Sequence, residues 1–242
     1  MSLTLRAVAV TDVGLRRENN EDSVYAGRRL IAVADGVGGM PAGDVASAIM
    51  IRELAELEHT VDGSKAPKLL RRAADAANRA IHEAAAADPA RQGMGTTVTA
   101  VLLFGADRLA LLHVGDSRGY LLRGDDLIRL TKDDTYVQSL VDQGVLTADE
   151  ARSHPQRSLV TQAVAGGPLS PAEDVLDAEP ADRILLCSDG LSDIVTDESI
   201  AHALRSYPDP RDCAERLVKL ALQAGAPDNV TVVIADLVEL PR

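Results

Sequence analysis

Four apolar runs in this 242-residue chain meet an aspartate at their polar end: Asp35 in AVADGVGG, Asp116 in LLHVGDSRGY, Asp189 in LLCSDGLSD and Asp228 in APDNVTV. A short apolar run closed by Asp or Gly reads as a buried strand that stops at a turn. Any one of these pairs is adequately explained as a turn, since both residues favour that geometry. Several carboxylates gathered at strand ends are a different matter, because they repel one another unless cations lie among them. An all-oxygen set selects a hard ion such as Mg2+ or Mn2+ rather than zinc. Gly36, directly after Asp35, would let its backbone carbonyl come close to a metal or its waters. The acidic pair Glu21-Asp22, with Arg17 four positions before Glu21, belongs to the same polar set.

The surrounding pattern predicts an α+β fold. Alternation over residues 3–11 and the apolar run 30–34 predict strands. Ala46, Ile49, Met50, Leu54 and Leu57 recur on one helix face, and a second, Ala-rich helix is expected over 65–87 with Ser64 as its cap. Strands then follow at 97–104, 109–114, 119–122 and 127–130, separated by Gly/Asp turns of hairpin type. Residues 131–167 read as an excursion of short helices, with a capping box at Thr147 and Glu150. The chain closes with a strand at 183–188, a helix capped by Thr196, another capped by Asp209 and stopped by Gly225, and a β-branched strand at 229–237. Two stacked antiparallel sheets with helices on both outer faces, a four-layer αββα sandwich in one domain spanning 1–242, would bury the last strand on both sides.

Composition narrows the function. Aromatic residues are 2% of the chain and tryptophan is absent, so the core must be aliphatic. A net charge of -12 and the lack of aromatic faces argue against nucleic-acid binding. Cys187 and Cys213 make no zinc or disulfide pattern, which suits a reducing, cytoplasmic setting. No apolar run reaches the roughly 20 residues of a membrane span, and the first ten residues do not form a signal peptide. A monomer is expected.

In order, RRENNED (16–22), VADGVGG (33–39), GMGTTVTAVL (93–102), HVGDSRGYLLR (113–123), LLCSDGLSD (185–193) and PDNVTVVIAD (227–236) resemble the successive motifs of metal-dependent protein phosphatases of the protein phosphatase 2C type. Residues 131–164 are similar to the flap of the compact bacterial branch that opposes Ser/Thr kinases. The resemblance implies a phosphoserine/phosphothreonine phosphatase with two or three Mn2+ or Mg2+ ions, in which a water held between cations attacks phosphorus in line. Its substrates would be phosphorylated proteins and its counterparts the cognate Ser/Thr kinases. Asp35 would bridge two cations, Gly36 would reach one through its carbonyl, and Asp189 and Asp228 would complete the coordination of the first ion. Glu21 or Asp22 would hold waters on the second ion, with Asn229 standing behind the ligands. A third ion would involve Asp116, Asp189 and the Ser158 carbonyl, and Arg17 would grip the phosphate as a bidentate fork.

One departure stands out. Many eukaryotic relatives carry His two residues after the bridging Asp, where this chain has Val37, and some bacterial ones carry it where Met40 stands. No general acid is assigned, and His154 is the one histidine worth testing. Gly95, Thr96 and Thr97 are explained as well by a strand start packed near the site as by ligation. A regulatory pseudophosphatase would be expected to lose some motif aspartates, and all are present. Other phosphatase chemistries need an Asp-x-Asp-x-Thr loop or a Cys-x5-Arg loop, and neither occurs.

Overall fold

Period-2 alternation builds two stacked sheets, and each strand spends one face on the other sheet and one on helices. This is seen in a computed structural model that describes residues 2–37, 42–59 and 65–240. One sheet is ordered β1 (Leu3–Asp12), β10 (Val230–Glu239), β9 (Arg183–Cys187), β6 (Arg118–Arg123), β7 (Asp126–Arg129). The other is ordered β2 (Ser23–Ala26), β3 (Leu30–Ala34), β4 (Val98–Phe104), β5 (Arg108–Val114), β8 (Ala172–Asp177). Every strand pairing is antiparallel.

Strand β10 shows the layering. Val230, Val232 and Ile234 face α6 (Asp197–Ser206) and α7 (Pro210–Gln223) in one core, while Val233, Ala235 and Leu237 fill the space between the sheets. All six are essentially without exposed surface. On the far side, Leu30, Ala32 and Ala34 of β3 meet α1 (Gly43–Ala55) and α2 (Ala66–Ala87), and Ile31 and Val33 turn inward. The expected αββα order is therefore what the alternation builds. Small side chains allow it: α2 buries Ala66, Ala73, Ala74 and Ala77 beside Leu70 and Ile81.

Most expected elements recur within a residue or two. Asp209 accepts from two backbone N–H groups of α7, Thr196 caps α6, and Thr147 and Glu150 form the reciprocal capping box of α4 (Ala148–Ser153). Strands β2 and β8 escaped the pattern analysis. The residue before α2 is Lys65, which makes no side-chain cap, and Ser64 lies outside the described residues.

Antiparallel pairing sends the ends of β1, β3, β5 and β9 and the starts of β4 and β10 to one rim of the sandwich. The chain then crosses from β5 in one sheet to β6 in the other through Gly115, Asp116 and Ser117. The excursion containing α3 (Tyr136–Asp142) and α4 stands over this rim. It is tied down by isolated bridges, Thr135 to Val160 and Thr96 to Val164. Asp134 pins its root, accepting from the Gly115 backbone N–H at 2.9 Å and from Gln162 at 3.0 Å.

Candidate metal centre

At that rim a cavity of about 140 Å3 is lined by Arg17, Asp35, Val37, Thr97, Asp116, Ser158, Val160, Asp189 and Asp228. Six of the ten site residues expected from the sequence line it. Gly36, Glu21, Asp22 and Asn229 do not, and each instead supports the wall from behind.

The support is specific. Asp35 is held by its backbone: its carbonyl accepts from the Thr97 N–H at 2.8 Å and the Thr96 hydroxyl at 2.8 Å, and its N–H donates to the Thr97 hydroxyl at 3.1 Å. The two threonines thus fasten the bridging candidate, and Thr97 reaches the cavity as well. A Cβ on Gly36 would fall 2.6 Å from the Gly43 carbonyl carbon, so this glycine lets α1 pass close behind Asp35. Gly190 plays the same part after Asp189, where a Cβ would meet the Asn229 carbonyl oxygen at 2.0 Å.

Asn229 organises the loop that carries Arg17. Its Oδ1 accepts from the Glu21 N–H at 2.8 Å, and its Nδ2 donates to the carbonyls of Val13 and Asn19, both at 2.9 Å. Arg17 donates to Asp228 Oδ2 at 2.8 Å, which raises the guanidinium pKa and orients it across the cavity. Ser188 donates to Asp22 Oδ2 at 2.9 Å and accepts from the Thr231 N–H, tying Asp22 to β10.

Electrostatics show how costly the cavity's carboxylates are without a counter-charge. Burial, then the charges of Asp22, Asp189, Asp116 and Asp228, push the Asp35 carboxyl well above its ordinary value. Asp189 is raised the same way, by burial and then by Asp116, Asp193, Asp228 and Asp22. Asp116, only 8% exposed, is pushed up to about 7 by burial and by the charges of Asp133 and Asp193. Burial raises Asp22 too, and its Oδ1 is sealed from solvent without a partner. Glu21 lies against Gly43 at the start of α1, its carboxyl raised by burial against the pull of Arg17. A cation relieves each of these costs at once.

The donors fit hard ions. Every polar group in the cavity lining is oxygen or guanidinium, with no histidine or cysteine. Among the described residues no three His, Cys, Asp or Glu side chains close into a ready-made cage. Mg2+-like ions need none, since they keep several waters and use one or two carboxylates.

Asp193 and Asp133 were missed. Asp193 lies four residues after Asp189, on the same side of the single turn α5 (Asp189–Ser192), and that spacing in SDGLSD was the available signal. Its carboxyl is raised by burial, and it pairs with Arg157 at 3.4 Å. Asp133 sits between Arg118 and Arg129, which hold its carboxyl low despite burial. His154 is no part of the cavity; its ring packs near Tyr136 with centroids 6.5 Å apart. His113, 1% exposed, bonds to Thr99 and to the Lys132 carbonyl inside the sheet. Gly38, Gly39 and Met40 lie outside the described residues.

The two-sheet sandwich between helix pairs, with its acidic rim and one arginine, is the arrangement that the sequence resemblance implied. The Protein phosphatase 2C family pattern matches residues 16–229, and the chain belongs to that family. Among relatives, it is 52% identical over 239 residues to the serine/threonine protein phosphatase PstP of Mycobacterium tuberculosis, covering 99% of this chain and 46% of that protein. It thus spans about half of that relative's length. Protein phosphatase PhpP of Streptococcus pneumoniae is 35% identical, with 95% of this chain and 96% of that one covered. A crystal structure of the M. tuberculosis phosphatase superposes with a TM-score of 0.94 at 52% identity, over 98% of this chain and 100% of that one. The PstP catalytic domain in complex with two manganese ions gives 0.88 at 48% identity, with the same coverage.

Proposed function

We propose that this chain is a metal-dependent serine/threonine protein phosphatase, acting on phosphorylated proteins and reversing Ser/Thr kinase signalling. The observation that carries the reading is the convergence of Arg17 with Asp35, Asp116, Asp189 and Asp228 on one cavity, where three buried carboxyls are raised by burial and then by the charge of neighbouring aspartates. Such a group is costly with its charges alone and becomes useful with Mn2+ or Mg2+ present.

Asp35, Asp189 and Asp228 would hold one ion, Asp35 and the Gly36 carbonyl a second, and Asp116, Asp189 and the Ser158 carbonyl a third. Asp193, beside Asp116 and Asp189, would join the third. When bound, such ions lower the pKa of water and supply the nucleophile for in-line attack on phosphorus. The buried free oxygen of Asp22 suits a water of that shell. Arg17 binds two phosphate oxygens, exchanging its contact with Asp228 for the substrate. Val37 and Val160 give the cavity dry walls, which strengthen these charge contacts. Positioning and charge neutralisation are most of what phosphoryl transfer demands, and the residues here provide both.

No helix among the described residues is long and apolar enough to cross a membrane. With both cysteines reduced and buried, a monomeric catalytic unit in the cytoplasm fits best. The deciding test is turnover of p-nitrophenyl phosphate and of a phosphothreonine peptide in Mn2+. Activity abolished by chelator and restored by Mn2+ supports the reading; no turnover in Mn2+ or Mg2+ sinks it, and leaves a phosphoprotein-binding module on the same fold.

A further inference from the structure

The core between the sheets turns polar in its last layer before the rim. Leu103 and Val101 of β4 and Leu109 and Leu111 of β5 fill that core, and one pleat nearer the rim the two series become Thr99 and His113. These two are paired directly across the ladder. Both are buried, as are Thr97 and Ser117 beside them. An imidazole and three hydroxyls at the end of an aliphatic layer cost free energy unless their hydrogen bonds are made.

Here they are made, and they form one chain. His113 Nε2 lies 3.0 Å from the Lys132 carbonyl and its Nδ1 lies 2.9 Å from the Thr99 hydroxyl. That hydroxyl is 2.9 Å from the Ser117 carbonyl, and Ser117 Oγ is 2.7 Å from the Thr97 hydroxyl. Thr97 then accepts from the Asp35 N–H at 3.1 Å and returns its own N–H to the Asp35 carbonyl at 2.8 Å. One end of the chain is therefore the bridging candidate, and the other is the start of the flap excursion. We propose that His113 is a positioning residue, which through this chain holds the root of the flap in register with the strand end that carries Asp35. The inference rests on the phosphatase reading.

Donor counting fixes the state of the ring. A carbonyl only accepts, so Nε2 must carry the proton that reaches Lys132. Burial holds the imidazole pKa below its ordinary value against the pull of Asp134 and Asp133, which keeps the ring neutral and leaves Nδ1 bare. The Thr99 hydroxyl, with one proton and two acceptors in reach, serves Nδ1 or the Ser117 carbonyl.

The root governs the cavity wall. Within the flap, α4 buries none of its residues and α3 only Val137, so its own packing holds it weakly and its attachment sets its position. The two residues after Lys132 are fastened to the β5–β6 crossing, Asp133 by Arg118 and Asp134 by the N–H and carbonyl of Gly115. From there the returning limb is tied on, the Thr161 N–H donating to the Asp134 carbonyl at 2.7 Å and the Tyr136 N–H to the Leu159 carbonyl at 2.9 Å. Ser158 and Val160, which line the catalytic cavity, belong to that limb. His113 adds the tie from this assembly to the layer beneath Asp35.

The test compares His113→Leu, His113→Gln and His113→Asn in Mn2+, on p-nitrophenyl phosphate and on a phosphothreonine peptide. Gln carries its amide nitrogen as many bonds from Cβ as Nε2 and still donates to Lys132, whereas Asn reaches only as far as Nδ1. His113→Leu should lower kcat about tenfold on both substrates, since a misplaced cavity wall costs rate. KM, governed by Arg17, should move less than about twofold. Gln should bring kcat back to within about threefold of wild type, and Asn should not. Urea midpoints establish that each variant is folded under the assay; should Leu fail to fold, the comparison of Gln with Asn decides. A lowered midpoint with unchanged kcat would make His113 a packing residue and overturn the proposal, as would Asn recovering as well as Gln. NMR of isotope-labelled histidine in Mg2+ at neutral pH should show the His113 proton on Nε2, and a neutral ring protonated on Nδ1 would also overturn it. A wild type inactive toward both substrates would instead remove the phosphatase reading, and this inference with it.

Discussion

Replacing Asp116 by Asn should make the metal-free protein more stable near neutral pH, although it removes a candidate ligand. Burial, with the charges of Asp133 and Asp193, moves the Asp116 carboxyl from 3.8 to about 7. The native state therefore holds this proton more tightly than the unfolded chain does. Its contribution is fully present below about pH 4 and is lost as pH rises through about 7. A shift of roughly three units corresponds to about 4 kcal/mol, a large share of the 5–15 kcal/mol typical of a domain. Asn at 116 has no charge to bury, so the loss should vanish. Urea denaturation in chelator at pH 4.5 and pH 8 reads the effect directly. The wild type should lose stability between the two, while Asp116→Asn stays flatter and exceeds the wild type at pH 8 by up to about 4 kcal/mol. Mn2+ should then shift the wild type's midpoint more than the variant's, because binding to the native state alone stabilises it. A variant no more stable than wild type in chelator at pH 8 would refute the reasoning about mutual repulsion.

Asp35→Asn or Asp189→Asn should remove most phosphatase activity while leaving the far-UV spectrum native; wild-type turnover in either would break the site assignment. Arg17→Ala should act chiefly on KM, by about tenfold or more, since a phosphate contact is lost; an unchanged KM would count against its role. Asn229→Ala removes three hydrogen bonds that shape the loop before β2. It should lower the urea midpoint by an amount equivalent to about 2–3 kcal/mol and reduce kcat several-fold, and a stability equal to wild type would show the loop to be held otherwise.

The layers and the acidic rim were legible because each strand of the cores reports its two environments in every second residue, as β3 and β10 do. Strands β2 and β8 were not, and both are edges of the same sheet. β8, AEDVLD, is mostly exposed and charged, so it carries no apolar alternation to read. The hairpin pattern over residues 97–130 holds within β4–β5 and β6–β7, but nothing local announces that the chain changes sheets between them. That crossing is what carries Asp116 to the rim. Asp35, Asp189 and Asp228 could be named because each ends or begins an apolar run. Asp133 and Asp193 owe their positions to Arg118, Arg129 and Arg157, contacts up to 36 residues apart that only the folded chain brings together. The close passage of α1 behind Gly36 is a further reason for glycine there, and no local pattern in the sequence announces it.

Crystals grown with Mn2+ and measured for manganese anomalous scattering put the cation nest to its most direct trial. At least two peaks should fall within the cavity bounded by Asp35, Asp116, Asp189 and Asp228, with Asp35 oxygens ligating more than one. Peaks confined to the protein surface, with these four carboxylates bound to nothing, would contradict it.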